Sequence, residues 1–105
     1  MNKSEAGPSR LKAPLSLIPF KALAEVAHAF AEGLHKYGRN DWRKGGSWAF
    51  YTDKILRHAG EFADGADIDS DSGRSPIAHV CADALILLFY IVTDRGTDDR
   101  NPDGD

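Results

Sequence analysis

Phe20, Leu23, Ala24, Ala27, Phe30 and Leu34 fall three and four residues apart, the spacing that lines one side of an α-helix. The stripe predicts a first helix over 19–37. Pro19 suits its first turn, where a missing N–H has no partner to lose, and Gly38 can take the left-handed backbone that stops it. A second helix is expected over 48–64. Trp48, Tyr51, Ile55, His58 and Phe62 form one seam of it, and Ala49, Thr52, Leu56 and Ala63 form another, so it should touch two neighbours. Ser47 can cap its start and Gly65 can end it. Ser75 followed by Pro76 opens a third helix, over 76–93. There Ile77, Val80, the run Leu85 to Phe89, Ile91 and Val92 point around every face, which predicts a spine buried on all sides, with Cys81 in the core. No strand alternation or internal repeat competes with this pattern. The expected fold is all-α, a compact bundle of three main helices whose core a second subunit completes. Its helical domain covers 14–94, with a flexible arm over 1–13 and an acidic, mobile tail over 95–105.

Size and charge narrow the picture. A chain of 105 residues forms one domain and buries roughly two thirds of its unfolded surface. A net charge of −3 offers no broad cationic field, so duplex nucleic acid is not an expected partner. The lone cysteine fits a reducing, cytoplasmic compartment. The most apolar run, Ala84 to Val92, is nine residues long, short of the ~20 that a membrane span needs. No membrane partner is expected.

Ionisable residues inside the apolar pattern are the candidates for chemistry. His79 and Asp83 are four residues apart on the third helix and share a face. Desolvating either is costly unless it is paired or bound, so they form either a hydrogen-bonded core pair or the wall of an internal site. His58 lies on the aromatic seam of the second helix, as a satisfied core histidine or a ligand. Glu25 and His28 make a Glu-x-x-His step, and Glu25 abuts the apolar side of its helix. Asp53, Arg57 and Glu61 recur every four residues, the pattern of a surface ion-pair ladder. The segment 36–46 packs four cations, two aromatics and three glycines into eleven residues. Such a loop can neutralise phosphate, let backbone approach it and stack on a base, or it can be a solvated loop with one buried tryptophan. Asp67, Asp69 and Asp71 alternate along a second loop and suggest hard-cation ligands, although Ser72 and Ala78 stand where an EF-hand needs glycine and glutamate. There is no Walker loop, paired-cysteine zinc motif or convincing covalent nucleophile.

The same residues carry a family resemblance. Lys12-Ala13-Pro14-Leu15 with Ile18-Pro19, Lys36-Tyr37-Gly38 with Asn40 and Trp42-Arg43, Asp53 with Arg57-His58, Asp67-Ile68-Asp69 with Ser72-Gly73, and Ala78-His79 together resemble the small domain of phage dATP/dGTP diphosphohydrolases. Those proteins are discussed with the all-helical, MazG-like nucleotide pyrophosphohydrolases. The resemblance runs from Leu11 to Val92 and implies hydrolysis of a deoxypurine triphosphate to monophosphate and diphosphate, with magnesium or another divalent ion held by carboxylates. Ala66 and Pro76 depart from it, standing where an acid and a histidine are usual, and Asp83 stands where asparagine is common.

On that basis Lys36, Arg39, Arg43 and Arg57 are expected at the substrate phosphates, with Trp42 or Tyr37 stacked on the base and Asn40 as a further substrate contact. Glu25, Glu61 and Asp83 are the first candidates for the metal, and Asp67, Asp69 and Asp71 the second. His58 and His79 are expected to orient water or phosphate. The expected setting is a homo-oligomer in the cytoplasm, the host's if the chain is phage-encoded. The competing expectation, motivated by Ala66 and Pro76, is a non-hydrolytic sponge or anti-defence protein that sequesters a signalling nucleotide.

Overall fold

The computed structural model describes residues 12–101, apart from the side chains of residues 34–37. Three helices carry the fold: α1 (Phe20–Tyr37), α2 (Trp48–Ala63) and α3 (Pro76–Thr93). Short 3-10 turns at Leu15–Leu17 and Asp41–Lys44 precede α1 and α2. Among the described residues there is no strand, only an isolated parallel bridge between Ser47 and Thr97.

The sequence signals for the helix ends operate as expected. Ser47 Oγ accepts from the Phe50 N–H, and Ser75 Oγ from the Ile77 N–H with Pro76 in the first turn, satisfying donors that the first helical turn leaves free. Gly38 and Gly65 follow α1 and α2 with φ of 85° and 104°, a region that costs side-chain-bearing residues more.

Helix α3 is the common element. It packs against both α1 and α2, which contact it far more than they contact each other. Small residues allow the close approach on the α1 side, where Ala29 meets Ala78 and Ala82, flanked by Val26 and Phe30. On the α2 side Tyr51 meets Tyr90 edge to face, with ring centroids 5.6 Å apart. The gap left between α1 and α2, floored by α3, becomes a cavity.

Two core expectations are corrected. Helix α3 is not buried on all sides, because Ile77, Leu85, Leu88, Ile91 and Val92 are exposed. Cys81 is exposed as well. Two neighbouring helices can cover only the faces turned toward them, and an apolar residue does not create its own cover. Helix α3 also has the length and apolarity of a membrane span. Its apolar character extends through the whole helix rather than stopping at the nine-residue run.

The start of the acidic tail meets the N-terminus of α2. Thr97 donates its N–H to the Gly46 carbonyl and accepts from the Trp48 N–H. Asp99 accepts from the Ser47 hydroxyl at 2.6 Å and from the Ala49 N–H at 2.9 Å, and Trp48 Nε1 donates to the Arg95 carbonyl. A carboxylate at a helix N-terminus meets free N–H groups and a favourable dipole, which is why an aspartate from a distant segment settles there. The hydrogen bonds from Ser47 and Ala49 hold the Asp99 carboxyl below the usual range. The contact needs Gly96, since a Cβ there would collide with the Gly46 carbonyl. Residues 1–11 of the expected arm and 102–105 of the expected tail lie outside the described residues.

Candidate functional site

The cavity between α1 and α2 has a volume of about 570 Å³. One end is aromatic, formed by Phe30, Trp42, Phe50 and Tyr51, and the other is polar, with Arg57, His58, Asp69, Ser72 and His79. Lys54 and Asp83 lie on its wall. The arrangement follows from helix periodicity. Tyr51, Lys54, His58 and Glu61 succeed one another by three or four residues along α2, as His79, Asp83 and Ile86 do along α3, so each set shares a face.

At the polar end the His58 and His79 rings stack with centroids 4.8 Å apart and planes 20° from parallel. His58 Nδ1 lies 3.1 Å from Glu61 Oε1 and 4.0 Å from Asp69 Oδ1. His79 Nε2 lies 2.6 Å from Ser72 Oγ and 3.8 Å from Asp69 Oδ2. Asp69 is delivered by a tight turn in which it donates its N–H to the Arg74 carbonyl and accepts from the Gly73 N–H. Its carboxylate accepts from both the N–H and the hydroxyl of Ser72. The hydroxyl has one hydrogen to give. If Asp69 receives it, His79 must bring the hydrogen of the Ser72–His79 bond, which assigns a proton to Nε2. Burial opposes the Asp69 charge, but the Ser72 hydrogen bonds and then the two imidazoles outweigh it and hold the carboxyl below its ordinary value.

Asp83 has a different environment. It is 5% exposed, with Oδ1 3.4 Å from Lys54 Nζ and Oδ2 buried without a hydrogen-bond partner. Burial pushes its carboxyl up, against the pull of Lys54 and the two imidazoles. Lys54 itself lies over the Phe50 and Tyr51 rings, 5.5 and 5.4 Å from their centroids.

His58, Glu61 and Asp69 offer ligand atoms that all lie within 4.8 Å of one another. One imidazole nitrogen and two carboxylates form a donor set that suits a divalent ion, so the residues fit the metal the resemblance implies. The cluster redistributes the expected ligands. Glu61 and Asp69 join His58. Glu25 instead faces Arg74 at 3.6 Å and is largely exposed, while Asp83 is engaged by Lys54. Asp67 and Asp71 are exposed, with only Asp71 reaching the cavity lining.

The expected phosphate loop divides. Arg57 lines the polar cavity. Arg39, Asn40 and Arg43 line a separate cleft of about 720 Å³ between α1 and α3, whose remaining wall is mainly apolar. Arg43 donates to Asn40 Oδ1 and lies over the Trp42 and Phe89 rings. Trp42 stands between the two spaces, packed on Phe30 and Phe89. The side chains of Lys36 and Tyr37 lie outside the described residues. Sequence reasoning passed over Lys54 and gave Ser72 no role at the site. Lys54 could have been found, since it is four residues before His58, but Ile55 offered a more conventional member of that seam.

A three-helix frame around a cavity of histidines, carboxylates and cations defines the class as an all-α domain with a candidate metal centre. More particularly, the chain belongs to the family described as dATP/dGTP diphosphohydrolase, N-terminal, whose profile matches residues 2–100. It is 38% identical over 88 residues to a dATP/dGTP diphosphohydrolase of Salmonella phage PMBT28. That alignment covers 84% of this chain and 30% of the relative, so the chain spans under a third of that protein's length. No solved structure matches it.

Proposed function

We propose that the cavity binds a deoxypurine nucleoside triphosphate and that the chain hydrolyses it to the monophosphate and diphosphate with the help of a divalent ion. The observation that carries this reading is the convergence of His58, Glu61 and Asp69 within 4.8 Å, in a chain whose family description and phage relative both name dATP and dGTP. When bound, a divalent ion would polarise a phosphate oxygen and favour ionisation of water. Arg57 supplies positive charge to offset that of the phosphates. His79, positioned by Ser72 and Asp69, holds an exchangeable proton at the same end and orients water or phosphate.

The test incubates the purified chain with dATP or dGTP and magnesium or manganese, followed by chromatography of the products. Deoxynucleoside monophosphate and inorganic diphosphate in equal amounts are expected. Absence of monophosphate at high protein concentration would sink the hydrolase reading. A second reading, a nucleotide sponge, is favoured by Ala66 and Pro76, because Pro76 is fully buried and apolar where the resemblance has a histidine. It requires the nucleotide to co-purify and to be recovered intact after heat denaturation.

A further inference from the structure

Lys54 and Asp83 join α2 to α3 midway between the aromatic and histidine ends of the cavity. The metal-site reading uses neither of them. Asp83 Oδ2 is a buried acceptor without a partner, and such groups call for an explanation because leaving one unpaired is costly. A quarter turn about the last side-chain torsion, which is soft for aspartate, can present both carboxylate oxygens to the cavity. Beside this acceptor stands the Lys54 ammonium, only a donor, with the Phe50 and Tyr51 rings around it.

We propose that Lys54 and Asp83 read the edge of the base and select guanine over adenine; this rests on the nucleotide reading given above. Guanine offers a carbonyl oxygen next to two adjacent N–H donors. The carbonyl complements the ammonium, and the two donors complement the two carboxylate oxygens, whose four lone-pair sites leave room for Lys54 to remain in place. Adenine offers a single amino donor beside a ring-nitrogen acceptor, so it leaves one carboxylate oxygen unused. The surrounding aromatic side chains give a base surfaces on which to stack. From Lys54 to Glu61 is seven residues, about 10 Å of helix rise, which leaves space for the sugar between the base edge and the polar end. The site therefore has an orientation, with base toward Phe50 and phosphates toward His58.

Affinity for α,β-imido analogues of dGTP, dITP and dATP, which do not turn over, tests the assignment by calorimetry in magnesium. The wild-type chain should bind the guanine analogue at least about tenfold more tightly than the adenine one. The inosine analogue, which keeps the carbonyl and one N–H but lacks the amino group, should fall between them. Replacing both partners together, Lys54→Met with Asp83→Leu, avoids stranding a buried charge. That variant should bind the three analogues within about threefold of one another, with an unchanged helical circular dichroism spectrum. Equal wild-type affinities for guanine and adenine would overturn the inference while leaving the nucleotide reading intact, as would a preference that survives in the double variant. If no analogue binds, both fall.

Discussion

Trp42 separates two spaces built on the same helix α3, and they are opposites in chemistry. In and beside the cavity toward α2, side chains from two helices and a loop are tied together: Glu61 to His58, Asp69 to Ser72, Ser72 to His79, and Lys54 to Asp83. In the cleft toward α1, Leu85, Leu88 and Val92 meet solvent, and the polar groups Arg43 and Asn40 are bonded to each other at its edge. A linked polar network in a confined space fixes side chains in position. An open apolar wall provides area without orientation. The first region is suited to chemistry and the second to contact.

The largest effect is expected on turnover. His58→Ala or Asp69→Ala removes a donor from the three-residue cluster and should lower the rate of dGTP hydrolysis by 100-fold or more, the scale on which loss of one electrostatic contact to a transition state is felt, about 3 kcal/mol. Arg43→Ala, in the apolar cleft, should change it less than about threefold, because its guanidinium is engaged with Trp42, Phe89 and Asn40. Initial rates at matched protein and metal concentrations measure both. Equal losses in the two sets would dissolve the distinction between the regions.

The cleft has its own test. The second subunit expected from the sequence has a natural place at the exposed Leu85, Leu88 and Val92, since a contiguous apolar surface of this kind favours burial against a partner. We expect the wild-type chain to sediment as a dimer and Leu88→Lys as a monomer. A wild-type monomer would leave the cleft as an open groove.

The division also shows how much was legible in the sequence. Three-and-four spacing located all three helices, and Ser47, Ser75, Pro76, Gly38 and Gly65 marked their ends because capping and left-handed backbone are local requirements. The proximity of His58 to His79 is a long-range consequence of how α2 docks on α3, and only their common burial hinted at it. The surroundings of Glu25 are illegible for the same reason. Its Glu-x-x-His step is real, but its surroundings depend on Arg74, from a loop nearly fifty residues away. Charge-rich loops were least legible. The run 36–46 carries four cations in one stretch, yet Arg39 and Arg43 line the cleft rather than the cavity. Periodicity assigns a residue to a face; it does not say which neighbour that face will meet.

The wall itself depends on Tyr90. It is 1% exposed and donates its hydroxyl to the Trp42 carbonyl at 2.6 Å. Burial pushes its phenol well above the ordinary range, so it remains a donor across the physiological range. Tyr90→Phe leaves that carbonyl without this partner and should cost about 2 kcal/mol of stability, read as a lower denaturant midpoint at unchanged slope. Loss of both the stability and the nucleotide affinity would show that the wall positions the cavity. Loss of stability alone would limit Tyr90 to packing.

The smallest effect lies within the polar network and has a pH signature. Asp69 has a folded-state carboxyl held below its unfolded value, so it stabilises the fold above the ordinary carboxylate range, and that contribution is lost as pH falls through the folded value. Ser72→Ala removes the hydroxyl that donates to Asp69 but keeps the backbone N–H. The folded-state value should therefore rise toward the ordinary one. The variant should be less stable than the wild type by about 1 kcal/mol near neutrality, and the gap should narrow as pH is lowered below about 4, where the wild-type advantage is titrated away. Denaturant midpoints from pH 7 to pH 3 measure it. A gap that stays constant across that range would place the Ser72 contribution in its 2.6 Å contact with His79 rather than in the charge of Asp69, and would move the anchor of the polar end from the loop carboxylate to the imidazole.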